Sequence, residues 1–600
     1  MMSDTLRLLP LIILLLSGGY GIFVKAFQLA KYGAIVACIL FIVGVSSGDA
    51  TLSYSLFKIG KVNFGLSFYF GEVETLVCAV VSAILCCLYF ARSIELIDKH
   101  VERKFGILNI FVFFMCMAVF SKNLFQFYVA VEAMGIISAI IVGLEKRATY
   151  QAMRVFAFNK FASLLFLVAL IIVAYNAGSL EFADIEALYY KGNVNALFWP
   201  SGLLVIAYLC KGAQIPFSYW LVDAAKASTF ASILIHSGTI VGVGIIFISK
   251  FHFMFSAFQS LQWTMILSGI CTSVLMACYA TVHNNIKKIM ACLTAASVGS
   301  MFVACGLGMY SLAILGFLGH ALFKATLFMG LAYLISATAG EQNIIRMGGV
   351  KNEAPKLNDV IWITFMMAIG FPLLPGFFAK IPFMASIQLS NVPLLSAANV
   401  VGNIFATIAL FRLITVAMYG KSRMDDITLS MVTRSNAYDM RPIWLLMAIS
   451  VFGSFVVWSI YEWGKLHFGA AGVLHARNIF DYFIENIEEL CQITISVIVV
   501  LLLMRFSGTK HVEKILNFTA MLNRGKVYKR CCDYIARMVM CVMRECDILN
   551  TIMDNSMNVR GYRLLRSTSI VLSRAHQRLL ASHVVWIIAG LLIAIATVVV

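Results

Sequence analysis

A chain of 600 residues that is 61% hydrophobic and only 12% charged, with a mean hydropathy of +0.90, falls outside the range of water-soluble domains. This composition excludes soluble enzymes, nucleic-acid-binding modules and disordered scaffolds, which need about twice this charge density to stay in solution. The formal net charge of +17 therefore points to basic loops held on the anionic, cytoplasm-like side of a bilayer.

Apolar runs that approach the twenty or so residues of a bilayer span occur near 8–24, 32–48, 75–91, 106–120, 125–143, 157–176, 199–222, 229–249, 263–281, 289–305, 312–338, 357–384, 396–419, 442–461, 490–505 and 582–600. They predict an all-α polytopic membrane protein of about sixteen transmembrane helices. The first run has one basic residue, Arg7, ahead of it and flows into a second run, so it reads as a span and not as a cleaved signal peptide. If the spans alternate, eight Lys and Arg fall on the face of the N-terminus, thirty-three on the opposite face and five inside spans. That asymmetry assigns the basic loops to the cytoplasm or organelle matrix and both termini to the outside. Between the last two spans, 506–581 carries thirteen basic and five acidic residues among apolar ones at three- and four-residue spacing, with no proline. It reads as a helix lying along a surface, and the residues alone leave open whether that surface is protein or anionic lipid. Fifteen cysteines without C-x-x-C or other metal-ligand spacing read as small buried hydrophobes. No dinucleotide, haem or iron–sulfur spacing occurs, so no cofactor or metal is expected in this chain.

An ionised side chain at bilayer depth costs at least about 2.5–3.5 kcal/mol, so such groups pair with each other or line a hydrated path. Glu132 sits in FQFYVAVEAMGIISAII, far along the chain from any other carboxylate. Lys211 lies five residues before Pro216 and Lys380 five residues after Pro375, with Pro372 close by. Proline inside a span removes a backbone hydrogen bond, so Pro216, Pro372 and Pro375 mark helix breaks of the kind that expose backbone dipoles and water to an ion. His320 and Lys324, four residues apart, share one helical face, and His236 lies in ASILIHSGTIVGVGI. Histidine exchanges protons near neutral pH. Taken singly, each has a plain alternative: a lysine in one salt bridge, or a hydrogen-bonded core histidine. Lys160, beside the inner end of its span, reads as a snorkelling side chain, and Arg412 as either a paired group or an anchor. As a set, Glu132, Lys211, His236, His320, Lys324 and Lys380 look like a proton relay.

The stretches KGAQIPFSYWLVDAAKASTFASILIHSGTIVGVG at 211–244, NNIKKIMACLTAASVGSMFVACGLG at 284–308 and GHALFKATLFMGLAYLI at 319–335 resemble the antiporter-like subunits of respiratory complex I. That family also includes subunits of Mrp-type cation/proton antiporters. The histidine of LIHSGTIV, the sixteen spans and the long segment before the last span resemble the subunit L (mitochondrial subunit 5) branch. The resemblance implies N-terminal helices in 1–105 and two inverted five-helix repeats at 106–249 and 263–419, each with a broken helix. It further implies helices in 442–505, a lateral helix at 506–581 running along neighbouring membrane subunits, and an anchor at 582–600. By the same resemblance, Glu132 pairs with Lys211, quinone chemistry elsewhere in the complex toggles the pair, and a proton passes through His236, His320, Lys324 and Lys380 towards the exit.

The implied activity is that of a membrane subunit of a proton-translocating NADH:quinone oxidoreductase, with no redox centre of its own. Its partners would be the other membrane subunits of complex I and the lipid bilayer, with no nucleic acid. The implied setting is the bacterial cytoplasmic membrane, with the mitochondrial inner membrane as the alternative and the lateral helix on the cytoplasmic or matrix side. Several positions depart from the family pattern. Gly316 stands where a second histidine is usual and Ile381 where an acid follows the lysine. Asn159-Lys160-Phe161-Ala162-Ser163 replaces N-R-x-G-D, Asn285 replaces an aspartate, and Ser228-Thr229-Phe230 replaces P-T-P. These departures keep two further readings open: a subunit of an Mrp-like antiporter moving Na+ or K+ against protons, and a non-conducting structural paralogue.

Overall fold

The computed structural model describes residues 4–92, 101–145, 148–378, 380, 384, 387, 392–435, 438–467, 494 and 498, all within one compact unit, Met1–Lys529. Most of the runs at 490–505 and at the end of 357–384, the lateral helix at 506–581 and the anchor at 582–600 lie outside the described residues. Ten of the described helices are long and apolar enough to cross a membrane, and the chain is a multi-pass integral membrane protein.

Helices α1 (Leu9–Phe23) and α2 (Phe27–Val45) come first, and α2 leaves Leu29, Val36, Ile39 and Val43 exposed, as a lipid-facing helix does. A β-hairpin follows, β1 (Ala50–Ile59) paired antiparallel with β2 (Val62–Phe70), so the protein is mostly helical and the all-α expectation needs correction. The reason lies in TLSYSLFKIGKVNFGLSFYF: polar and apolar residues largely alternate, and Gly60 at φ +59° allows the tight turn. A search for long apolar runs passes over a period of two. Helices α3 (Glu72–Phe90), α4 (Val101–Val119), α5 (Leu124–Gly143) and α6 (Thr149–Ala177) then follow in turn, and α7 (Phe182–Tyr190) is short.

The next two spans are broken. The run at 199–222 divides into α8 (Phe198–Lys211) and α9 (Tyr219–Ala224) around Pro216. The run at 229–249, expected to be continuous, divides into α10 (Thr229–Ser237) and α11 (Val243–Lys250) without any proline. At this second break Gly242 lies against the Phe317 ring, where a Cβ would come within 2.0 Å of a ring carbon. Helices α12 (His252–Ser256), α13 (Gln259–Val282), α14 (Ile286–Gly306) and α15 (Tyr310–Ala337) follow. After α16 (Val350–Glu353), α17 (Pro355–Ile369) starts on a proline and stops at Gly370, φ +95°, just ahead of Pro372 and Pro375. Helices α18 (Pro393–Met418), α19 (Asp426–Arg434) and α20 (Arg441–His467) complete the described residues.

Loop-to-loop hydrogen bonds sort the helix ends onto two faces. On one, the Lys122 amide donates to Ser67 O and the Leu124 amide to Leu180 O, while Phe68 bridges Ser121 and Asn123 bridges Glu181. On the other, Asn285 bridges Asn343, Lys287 donates to Ala227 O at 2.9 Å, and Gly348 N donates to Ala417 O. The two Asn-centred bridges link residues the same distance apart, 123 to 181 and 285 to 343, and each asparagine caps its helix by accepting from the amide three residues on. At the centre, every residue of α15 from Leu312 to Ile335 is buried, so its polar side chains face protein and not lipid. Helices α13 and α14 cross where Gly269 and Gly299 bring backbones together: a Cβ on either would sit 2.5–2.6 Å from the other's carbonyl oxygen.

Candidate functional site

The polar side chains inside the bundle gather in two groups. In the first, Glu132 on α5 forms an ion pair with Lys160 on the adjacent, antiparallel α6. One turn further along α6, Ser163 accepts a 3.1 Å hydrogen bond from Lys211 Nζ, and Lys211 is 1% exposed at the end of α8. The expected Glu132–Lys211 pair is therefore not formed in this state, and Lys160 does not snorkel. The reason is placement: α6 presents Lys160 to Glu132 and Ser163 to Lys211, so a lysine and a hydroxyl stand between the expected partners. Lys211 also feels the charge of Lys160.

The break that follows Lys211 leaves backbone groups without helical partners, and neighbouring side chains take them up. The Ile215 amide donates to Thr272 Oγ1 at 2.8 Å, Ser268 Oγ donates to Ile215 O at 2.9 Å, and Trp220 Nε1 donates to Cys210 O at 2.7 Å. Gln214 Oε1, fully buried in the break, has no hydrogen-bond partner. At the far end of α9, Asp223 is held by Arg154 through contacts of 2.7 and 2.8 Å, with the guanidinium over the rings of Tyr150 and Tyr219. Sequence reasoning counted Arg154 among loop charges and missed this buried pair; the signal was Asp223 inside the apolar run YWLVDAA.

The second group is centred on α15. His236, at the end of α10, stacks on Phe328 with ring centroids 5.3 Å apart and has no hydrogen-bond partner at either ring nitrogen. Its carbonyl oxygen lies 3.1 Å from His320 Nε2, while His320 Nδ1 has no partner. One turn on, Lys324 is 2% exposed; its charge acts on both histidines, and the charge of Lys380 acts on it. His320, Lys324 and Lys380 line a cavity of about 80 Å³, and the space opens beside Gly316. Ser273, Ser297, Ser300, Asn399 and Asn403 complete its polar lining. Sequence reasoning missed the asparagines, although two amides one turn apart in SAANVVGNIFATIALF are a readable anomaly in an apolar span. The structure thus brings Glu132 and Lys211 to one helix, α6, and joins His236, His320, Lys324 and Lys380 in a second cluster. Arg412, left undecided by the sequence, fastens α18 to a loop by donating to His283 O and Asn284 Oδ1 at 2.6 and 2.5 Å.

Comparison with known proteins bears on what this arrangement belongs to. A transmembrane family described as NADH:quinone oxidoreductase/Mrp antiporter matches residues 121–406, which contain both clusters. NADH-quinone oxidoreductase subunit L of Buchnera aphidicola is 30% identical over 372 residues, covering 60% of this chain and 60% of that protein. Subunit L of Escherichia coli is 27% identical over 440 residues, 71% of this chain and 70% of that one. Among solved structures, the Mrp complex from a Dietzia species has the same fold, with TM-score 0.69 and 16% identity over 96% of this chain and 63% of that one. A membrane-bound sulfane sulfur reductase, an archaeal respiratory membrane complex, matches with TM-score 0.65 and 17% identity over 77% of this chain and 97% of that one. Residues 121–406, a little under half of the chain, thus match the NADH:quinone oxidoreductase/Mrp antiporter family of membrane proteins.

Proposed function

We propose that this chain is a proton-translocating, subunit L-type membrane subunit of an NADH:quinone oxidoreductase, with no redox centre of its own. The observation that carries the reading is the set of protonatable groups held inside the bundle beside two broken spans: Glu132, Lys160 and Lys211 in one cluster, His236, His320, Lys324 and Lys380 in the other. The Glu132–Lys160 pair serves as the switch. When quinone reduction in neighbouring subunits separates it, the freed Lys160 charge repels the proton held by Lys211 towards the histidines and the cavity. The equal-length bridges on opposite faces support two inverted repeats, 106–249 and 263–419. In this reading 506–581 is the lateral helix that grips the neighbouring membrane subunits, 582–600 anchors it, and the basic loops lie in the cytoplasm of a bacterium.

Replacing Lys211 by Ala is expected to abolish NADH-driven acidification of inverted vesicles while the complex still assembles. Unchanged pumping in an assembled complex would overturn the assigned role and favour a non-conducting paralogue. A second reading, a subunit of an Mrp-like Na+ or K+/proton antiporter, is supported by a family description that covers both classes and by the fold match over 96% of the chain. Its mark is proton flux driven by a cation gradient in vesicles without NADH.

A further inference from the structure

The cavity between α13, α14, α15 and α18 has a charge problem that its own residues do not solve. Two lysines and a histidine line it, and no carboxylate does. The sequence holds no Asp or Glu from 224 to 340 or from 360 to 424, so the only acids across 263–419 are Glu341, Glu353 and Asp359. All three sit near the loop face: Glu341 pairs with Arg346, Glu353 accepts from Thr433, and Asp359 is exposed near the start of α17. Neither Lys324 nor Lys380 forms an ion pair or donates a hydrogen bond among the described residues. His320 and Asn399 line the same space: His320, 1% exposed, has no partner at Nδ1, and Asn399, 4% exposed, makes no side-chain hydrogen bond among the described residues.

We propose that this cavity binds a small monovalent anion of halide size between Lys324 and Lys380, with Asn399 and the serine hydroxyls completing its shell. Ammonium, amide and hydroxyl groups all donate to a halide, and a bound anion supplies the counter-charge that the sequence omits from this half of the bundle. The volume is sufficient: a single water needs roughly 10–15 Å³ by the same measure, so about 80 Å³ holds a halide with several waters. A divalent oxyanion costs much more to take out of water than a halide does, which favours the halide in a mostly apolar cavity. The site shares Lys324 and Lys380 with the proposed relay, but it follows from charge and geometry, and its test reads binding and not pumping.

The test uses the full chain in its purified native complex, exchanged into potassium gluconate. Diffraction data collected at the bromide absorption edge after exchange into potassium bromide are expected to show an anomalous peak in the cavity, beside Lys324 Nζ. In solution, chloride and bromide are expected to raise the thermal midpoint of the complex saturably, while sulfate and gluconate do not. Lys380→Gln and Asn399→Leu are each expected to weaken the apparent chloride affinity, by about thirtyfold for the lysine. A cavity without bromide overturns the proposal, as does a chloride dependence identical in the native chain and both variants. If the variants fail to assemble, the bromide map of the native complex decides alone, whatever the outcome for pumping.

Discussion

Lys160 is the side chain whose role the structure changes most. It neutralises Glu132, and by occupying that carboxylate it leaves Lys211 with a hydroxyl partner, Ser163. Replacing one member of a largely buried pair strands the other, whereas replacing both removes the problem. Lys160→Met is therefore expected to lower the heat resistance of the assembled complex by the equivalent of about 1–3 kcal/mol, reduced from the fully buried value by partial solvent access. Adding Glu132→Gln should restore most of it. Additive losses in the double variant, read as the fraction of complex surviving a temperature ramp, would show that the pair is not coupled. The candidate residues themselves were legible, because an ionised group in an apolar run stands out. Their pairing was not: Lys160 and Ser163 are three residues apart, and only the rotation of α6 against α5 and α8 decides which faces Glu132 and which faces Lys211.

At the scale of the helices, the two breaks near the clusters have different causes. The one around Pro216 was readable, since proline both removes a donor and obstructs the preceding turn. The one at 238–242 was not, because nothing in SGTIVG forbids a helix; the fit of Gly242 under the Phe317 ring is a tertiary fact. Gly242→Ala should push that ring and disturb the stretch between His236 and α15, costing about 1–3 kcal/mol as overpacking does. Phe317→Leu in the same chain is expected to recover assembly, measured by native gel against the single variant. A Gly242→Ala complex as stable as the parent would show that the ring yields freely. The hairpin was missed for the opposite reason: its alternation was present, but the surrounding apolar runs set the period searched for.

For the molecule as a whole, the division of charge between faces and the hydrogen-bonded grouping of loops describe the same topology by independent routes. Ser55 on the hairpin and Ser422 beyond α18 are exposed on opposite faces. Cysteines placed there should react with an impermeant maleimide from opposite sides of the membrane, the one at 422 only from the cytoplasmic side. Labelling of both from one side would overturn the topology. The crossing of α13 and α14 sets a further condition on any working cycle. With two backbones in contact at Gly269 and Gly299, there is no side-chain layer left to compress or shear. That pair acts as a fixed point: movement between these two helices cannot be taken up there, and falls instead to non-helical backbone nearby, such as the segments at 212–218 and 238–242.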